Sequence, residues 1–221
     1  MRRKKLLTRK QWAVRWGVGA VCLFLWMNLA LHIGYLLPIQ AFWEMEEQIG
    51  AGDLAVVDRR WETGSDFFLS AGWLSLAGNE HVVVLAPERW TYTGWQINGP
   101  EVLACDDGAP LHVGILSVQR TQFANGSPEP AEDWAPFQTT VYLFGRVDDP
   151  DIRSLRMELG ARREDGETLE VTADRAEWIV RDDGAYFLLW QEFDGFRIPD
   201  LQQTTAYDAA GNVVTTVAGG T

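Results

Sequence analysis

Beyond Lys10 the chain contains no lysine, and before Glu44 it contains no acid. From residue 42 onward, twelve arginines face 31 Asp and Glu, a formal charge of −19. That balance argues against a nucleic-acid-binding surface, which needs clustered Lys and Arg to displace counterions from phosphate. Cysteine is nearly absent too: Cys22 lies in an apolar run and Cys105 far beyond it, so no disulfide can staple the region from residue 42 onward. A core must hold that region together, and 180 residues rich in Trp, Phe, Leu and Val can supply one. Only His32, His81 and His112 are present, and there is no Gly-x-Ser-x-Gly elbow, His-Glu-x-x-His pair or Gly-Lys-Ser/Thr phosphate loop.

Charge of either sign is missing between Arg15 and Glu44, behind seven Lys or Arg in residues 1–15. The run 16–37, with Asn28 and His32 as its polar interruptions, would be about 33 Å long as a helix and predicts a membrane-spanning anchor. The basic side then stays inside, giving a cytoplasmic segment 1–15, a transmembrane helix 16–37 and a juxtamembrane segment 38–52. The expected location is a cell membrane, with a single pass, the N-terminus cytoplasmic and the C-terminal domain outside. The bilayer is then a partner through residues 16–37. A cleaved signal peptide ending near Ile39-Gln40-Ala41 is the competing reading, though its apolar region would exceed the usual length. A lipoprotein signal at Cys22 is excluded, because the apolar run continues well past it.

From residue 53 the pattern is that of strands. Leu54–Val57, Asp66–Leu76, His81–Leu85, Trp90–Ile97 and Leu111–Phe123 are rich in β-branched and aromatic residues and are separated by Gly, Asn, Pro or Asp. Residues 124–136, with three prolines, read as a loop or linker between a first β lobe, 53–123, and a second, 137–221. The second repeats the pattern in Thr139–Val147, Ile152–Leu159, Leu169–Val180, Ala185–Phe193, Thr204–Tyr207 and Asn212–Val217, with Asp183-Gly184 a hairpin turn. Asp149-Pro150-Asp151 could cap a helix, but the alternation of Leu155, Met157 and Leu159 favours a strand. The fold class expected is mainly β: one N-terminal transmembrane helix, then an extracytoplasmic β-sandwich or two tandem lobes.

The segments FGRVDDPDI (Phe144–Ile152), DGAYFLLW (Asp183–Trp190) and AYDAAGNVV (Ala206–Val214) resemble the Ig-like external modules of bacterial membrane-anchored envelope proteins. The resemblance spans about the last eighty residues. It implies a sandwich and an envelope location, and carries over no functional residue.

Two sets of side chains are candidates for a site. Trp90 and Tyr92 share one face of a strand, and Trp95 follows Gly94, a residue that marks bulges; facing solvent, the three rings would form a binding surface, and facing inward they would be core. Asp148, Asp149 and Asp151 are the candidate oxygen ligands for Ca²⁺, although Asp in this pattern is also the ordinary residue of tight turns. No other cofactor is expected. In the strand Tyr186–Trp190 apolar residues occupy both faces, which predicts a central strand and a buried Trp190. The expectation is a non-catalytic interaction module whose partner is an envelope protein. A carbohydrate-binding module using the three rings is the alternative, and a hydrolase built on His81 or His112 beside a carboxylate is the third reading.

Overall fold

The computed structural model describes residues 8–31, 34–63, 71–91, 94–97, 99–121, 137–160, 168–194 and 199–219. Among the described residues, two helices precede thirteen strands: α1 (Arg9–Leu31), α2 (Pro38–Ile49), β1 (Ala55–Thr63), β2 (Ala71–Gly78), β3 (Val82–Thr91), β4 (Gly94–Ile97), β5 (Glu101–Ala104) and β6 (Leu111–Thr121). There follow β7 (Phe137–Val147), β8 (Ser154–Gly160), β9 (Thr168–Asp174), β10 (Ile179–Arg181), β11 (Gly184–Asp194), β12 (Asp200–Tyr207) and β13 (Val213–Ala218).

The expected transmembrane helix is not formed. Among the described residues, no helix is long and apolar enough to cross a membrane. Helix α1 takes in the charged Arg9, Lys10 and Arg15, and its uncharged part, Trp16–Leu31, is only about 24 Å long, below the roughly 30 Å of a hydrocarbon core. The rest of the expected span goes elsewhere. Tyr35 exchanges two backbone hydrogen bonds with Trp95, at 2.9 and 2.7 Å, and Pro38 opens α2 at the position where its missing N–H costs nothing. Gly50, at φ 64°, ends α2 in the left-handed conformation.

Strand order is β1-β2-β3-β4 in the first sheet, with β5 also on β3; β10-β11-β7-β6 in the second; and β13-β12-β8-β9 in the third. All pairings are antiparallel. The second sheet is the middle layer. Along β7, Val141, Leu143 and Val147 point to one side and meet Leu155, Met157, Leu159 and Ala206 of the third sheet. Tyr142 and Phe144 point to the other and meet Leu74, Leu76, Val83 and Leu85 of the first. A strand covered on both faces must be apolar at every position, which is why Val141–Phe144 reads as an unbroken run. The result is two sandwiches sharing one sheet. Segment 122–136 lies outside the described residues, but β6 and β7 on either side of it pair from Leu111↔Val147 to Thr121↔Phe137, so it joins neighbouring strands of one sheet.

Strand β11 is interior to its sheet and packs on both faces, as its pattern predicts, yet Trp190 near its far end is 54% exposed and lies against Arg60, 4.5 Å from the ring centroid. The expected break at Pro87 does not occur either. Strand β3 runs through it, because β5 pairs with Val82–Leu85 and β4 with Glu88–Thr91, leaving Pro87 in the gap where β3 has a neighbour on one side only. The expected strand Leu169–Val180 is split by a 3-10 turn at Arg175–Glu177. Strand β8 forms with Leu155, Met157 and Leu159 buried, as the alternation predicts, and no helix follows Asp149-Pro150-Asp151.

Candidate functional site

The outer face of the first sheet is covered over only half its length. In this face α2 packs Phe42 and Met45 on Ala77, Val84 and Ala86, with Ile97 at the margin. Two-residue periodicity places Trp73 and Ser75 of β2, Glu88 and Trp90 of β3, and Trp95 of β4 on the same face, and register adds Arg59 and Trp61 of β1. Beyond the reach of α2, those tryptophans take over.

Trp61 stands directly opposite Trp73, and Trp90 directly opposite Trp95. Their ring centroids are 4.8 and 5.7 Å apart, and Trp61 reaches Trp95 at 6.3 Å. Strands β1 and β4 are two strands apart, so the sheet curls towards this face and makes it concave. The four rings form a chain, Trp73–Trp61–Trp95–Trp90, in which successive planes cross at 77°, 69° and 74°, the edge-to-face arrangement favoured by the aromatic quadrupole. Trp61 and Trp90 are 49% and 46% exposed, while Trp73 and Trp95 are half-buried beneath them.

A buried ion pair closes the floor. Glu88 has no exposed surface; its carboxylate accepts from Ser75 Oγ at 2.5 Å and pairs with Arg59, whose guanidinium lies 5.1 Å from the Trp73 centroid. Burial pushes the Glu88 carboxyl above its usual range, against the opposite pull of the Ser75 hydroxyl and Arg59. Gly94 permits the rim: at φ 130° it occupies backbone space closed to other residues, and a Cβ there would stand 2.4 Å from the Tyr35 carbonyl oxygen. Tyr35 is thereby strapped along the edge of β4. Its hydroxyl is bonded to Glu44 of α2, and burial followed by that contact pushes its pKa up to about 12.

Of the expected rings, Trp90 and Trp95 are together in this array, and Tyr92 lies outside the described residues. Trp61 and Trp73 escaped notice in the sequence, although one tryptophan in each of two successive strands is a detectable signal of cross-strand pairing. The aspartates are not assembled. Asp148 receives a two-pronged pair of hydrogen bonds from Arg146, at 2.7 and 2.9 Å, and the Asp149 carboxylate accepts the Asp151 backbone N–H at 2.8 Å, as in an ordinary turn. Among the described residues, no three His, Cys, Asp or Glu side chains are placed to hold a metal ion.

The two histidines differ from each other. His81 is exposed between Glu80 and Asp106, not inside an apolar strand, whereas His112 is buried with Nε2 3.4 Å from Asp148 Oδ2. Asp148 lines an open cleft of about 690 Å³ with Arg146, Arg181 and Asp183, but its oxygens serve Arg146, and Asp183 accepts the Tyr186 hydroxyl at 2.7 Å. Nearby, Cys105 is buried with Sγ directed at the Leu103 carbonyl, and burial pushes its thiol up to about 11. It is a thiol at neutral pH, not the thiolate a nucleophile requires. Asp148 and Asp183 of this cleft are thus bonded from within, in contrast to the open tryptophan rim.

No family model matches the chain, and neither a characterised protein nor a solved structure matches it.

Proposed function

We propose that the chain is a non-catalytic interaction module and that the tryptophan-lined concavity of its first sheet is the recognition surface for a protein partner. The observation that carries this reading is the exposure of Trp61 and Trp90 above half-buried Trp73 and Trp95. Two large apolar rings held in water by a rigid aromatic and ionic floor are anchors with little conformational entropy left to lose on binding. Arginine adjoins them: the Arg59 guanidinium lies 5.1 Å from the Trp73 ring centroid. Trp and Arg are the residues that dominate the energetics of protein interfaces.

The ring geometry weighs against the carbohydrate alternative. A polysaccharide platform presents several ring faces in one plane, whereas these planes cross at 69–77°. A concave edge-to-face array suits an inserted apolar side chain.

A photo-crosslinking residue placed at 61 or at 90 in cells of the native source tests the proposal, with the exposed Val180 of β10 as control position. A single discrete protein adduct from 61 and 90, absent from 180 and competed by unlabelled protein, is the expected result. Adducts with glycan or lipid alone, or the same protein adducts from all three positions, would overturn it.

A further inference from the structure

Among the described residues, the edge strands β1, β4, β5, β9 and β10 are guarded against pairing with another chain. Strand β1 carries Asp58, Arg59, Arg60 and Glu62, and Arg181 donates to the Val56 carbonyl at 2.9 Å. Strand β4 is four residues long and bridged by Tyr35; β5 is equally short and carries Glu101; β10 has three residues, one of them Arg181. Strand β9 bears Glu170 and Asp174. Charges and short length are the usual protection of an edge whose N–H and C=O groups are otherwise free to template a new strand.

Strand β13, Val-Val-Thr-Thr-Val-Ala, has none of these. It holds no charge, proline or glycine, five of its six residues are β-branched, and among the described residues it pairs with β12 alone. Val213 is 59% and Val214 37% exposed. In a chain of net charge −12 an uncharged edge of this composition stands apart.

We propose that β13 pairs antiparallel with β13 of a second copy of this chain, joining the two third sheets into one eight-stranded sheet. Two observations select a second copy as the occupant. First, a two-fold axis normal to the sheet must pass between the two copies of one residue, since facing residues share a side; placed at Thr215 it sets Thr215 against Thr215 and Val214 against Thr216, up to the bulge that precedes Thr215. Both are uncharged β-branched pairs, which are favourable across strands, so self-pairing brings no like charges together. Second, β6, the end strand of the middle sheet, packs over β12 and β13 on the same flank, with Val113 and Ile115 only half-buried. A second copy covers both layers at once, whereas a single extended peptide would cover β13 alone.

The test is sedimentation of the full chain against the double variant Val214→Lys/Thr216→Lys. Both positions lie on the solvent side of β13, so the circular dichroism spectrum should be unchanged. Four lysines would then crowd the dyad, and dimerisation should weaken by about tenfold or more. Self-association that persists undiminished in the double variant, as it would through the exposed helix α1, overturns the proposal. So does a wild-type chain that stays monomeric up to near-millimolar concentration. A further variant, Thr215→Cys in a Cys22→Ser background, should form an intermolecular disulfide under mild oxidation; its failure to do so while the wild type sediments as a dimer likewise overturns it.

Discussion

Arg59 pairs with the fully buried carboxylate of Glu88 while the face of its guanidinium lies 5.1 Å from the Trp73 ring centroid. One cation thus serves both a carboxylate beneath the aromatic array and a ring within it. Because burial holds the Glu88 carboxyl above its unfolded value, the folded chain binds this proton more tightly than the unfolded chain does. Its contribution to stability is complete below the unfolded pKa of about 4.3 and is lost as pH rises through the folded value.

Glu88→Gln keeps acceptors for Ser75 and Arg59 but cannot ionise. Denaturant unfolding at pH 5 and pH 7.5 should therefore show the wild type losing more stability on going to the higher pH than the variant loses, with the difference between them assigned to this one proton. Equal losses would mean that Glu88 ionises in the fold as readily as in water.

Trp190→Ala should cost about 1 kcal/mol, since the ring is 54% exposed and what it chiefly loses is the stacked Arg60. Phe187→Ala, three residues earlier on the same strand and buried in the core shared with the third sheet, should cost about 3–5 kcal/mol. Urea midpoints of the two variants check the ordering.

Cys22 is exposed and Cys105 is buried, its thiol pushed up to about 11. At pH 8 a thiol-reactive dye should label one cysteine of the native chain and both in denaturant, and peptide mapping should place the native label on Cys22.

Gly94→Ala forces a Cβ into the Tyr35 carbonyl and puts a side chain at φ 130°. The expected outcome is release of the Tyr35 strap with a loss of roughly 2 kcal/mol or more, and a drop in the Tyr35 phenol from about 12 towards its ordinary value in a spectrophotometric titration, because its burial and then its contact with Glu44 go with the strap.

Period-two alternation was enough to read β8 from sequence, because Leu155, Met157 and Leu159 are buried while Arg156 and Glu158 between them are not, and a one-residue slip would invert it. The membrane anchor was misread for the opposite reason. Uncharged length is a local property, but Tyr35 is drawn out of the apolar run by backbone pairing with Trp95, sixty residues away, and no local pattern records that partner. In the site, Trp90 and Trp95 were legible because Gly94 lies between them in the sequence and marks a break in the strand pattern. Trp61 and Trp73 depend on the β1–β2 register, and Trp61 meets Trp95 only through the curl of the whole sheet. Glu88 went unnoticed because a single acid between Pro87 and Arg89 looks like a solvated turn, whereas the strand continues through it and buries the carboxylate.

The claim that the tryptophan concavity is the recognition surface is tested most directly by Trp61→Ala/Trp90→Ala as a competitor in the crosslinking of position 61 or 90. The account predicts that this variant unfolds with a loss of about 1–2 kcal/mol, since both rings are half exposed, yet competes about a hundredfold or more weakly than the wild type. A double variant that competes as well as the wild type would contradict the account, and so would one that cannot fold, which would make these rings part of the core.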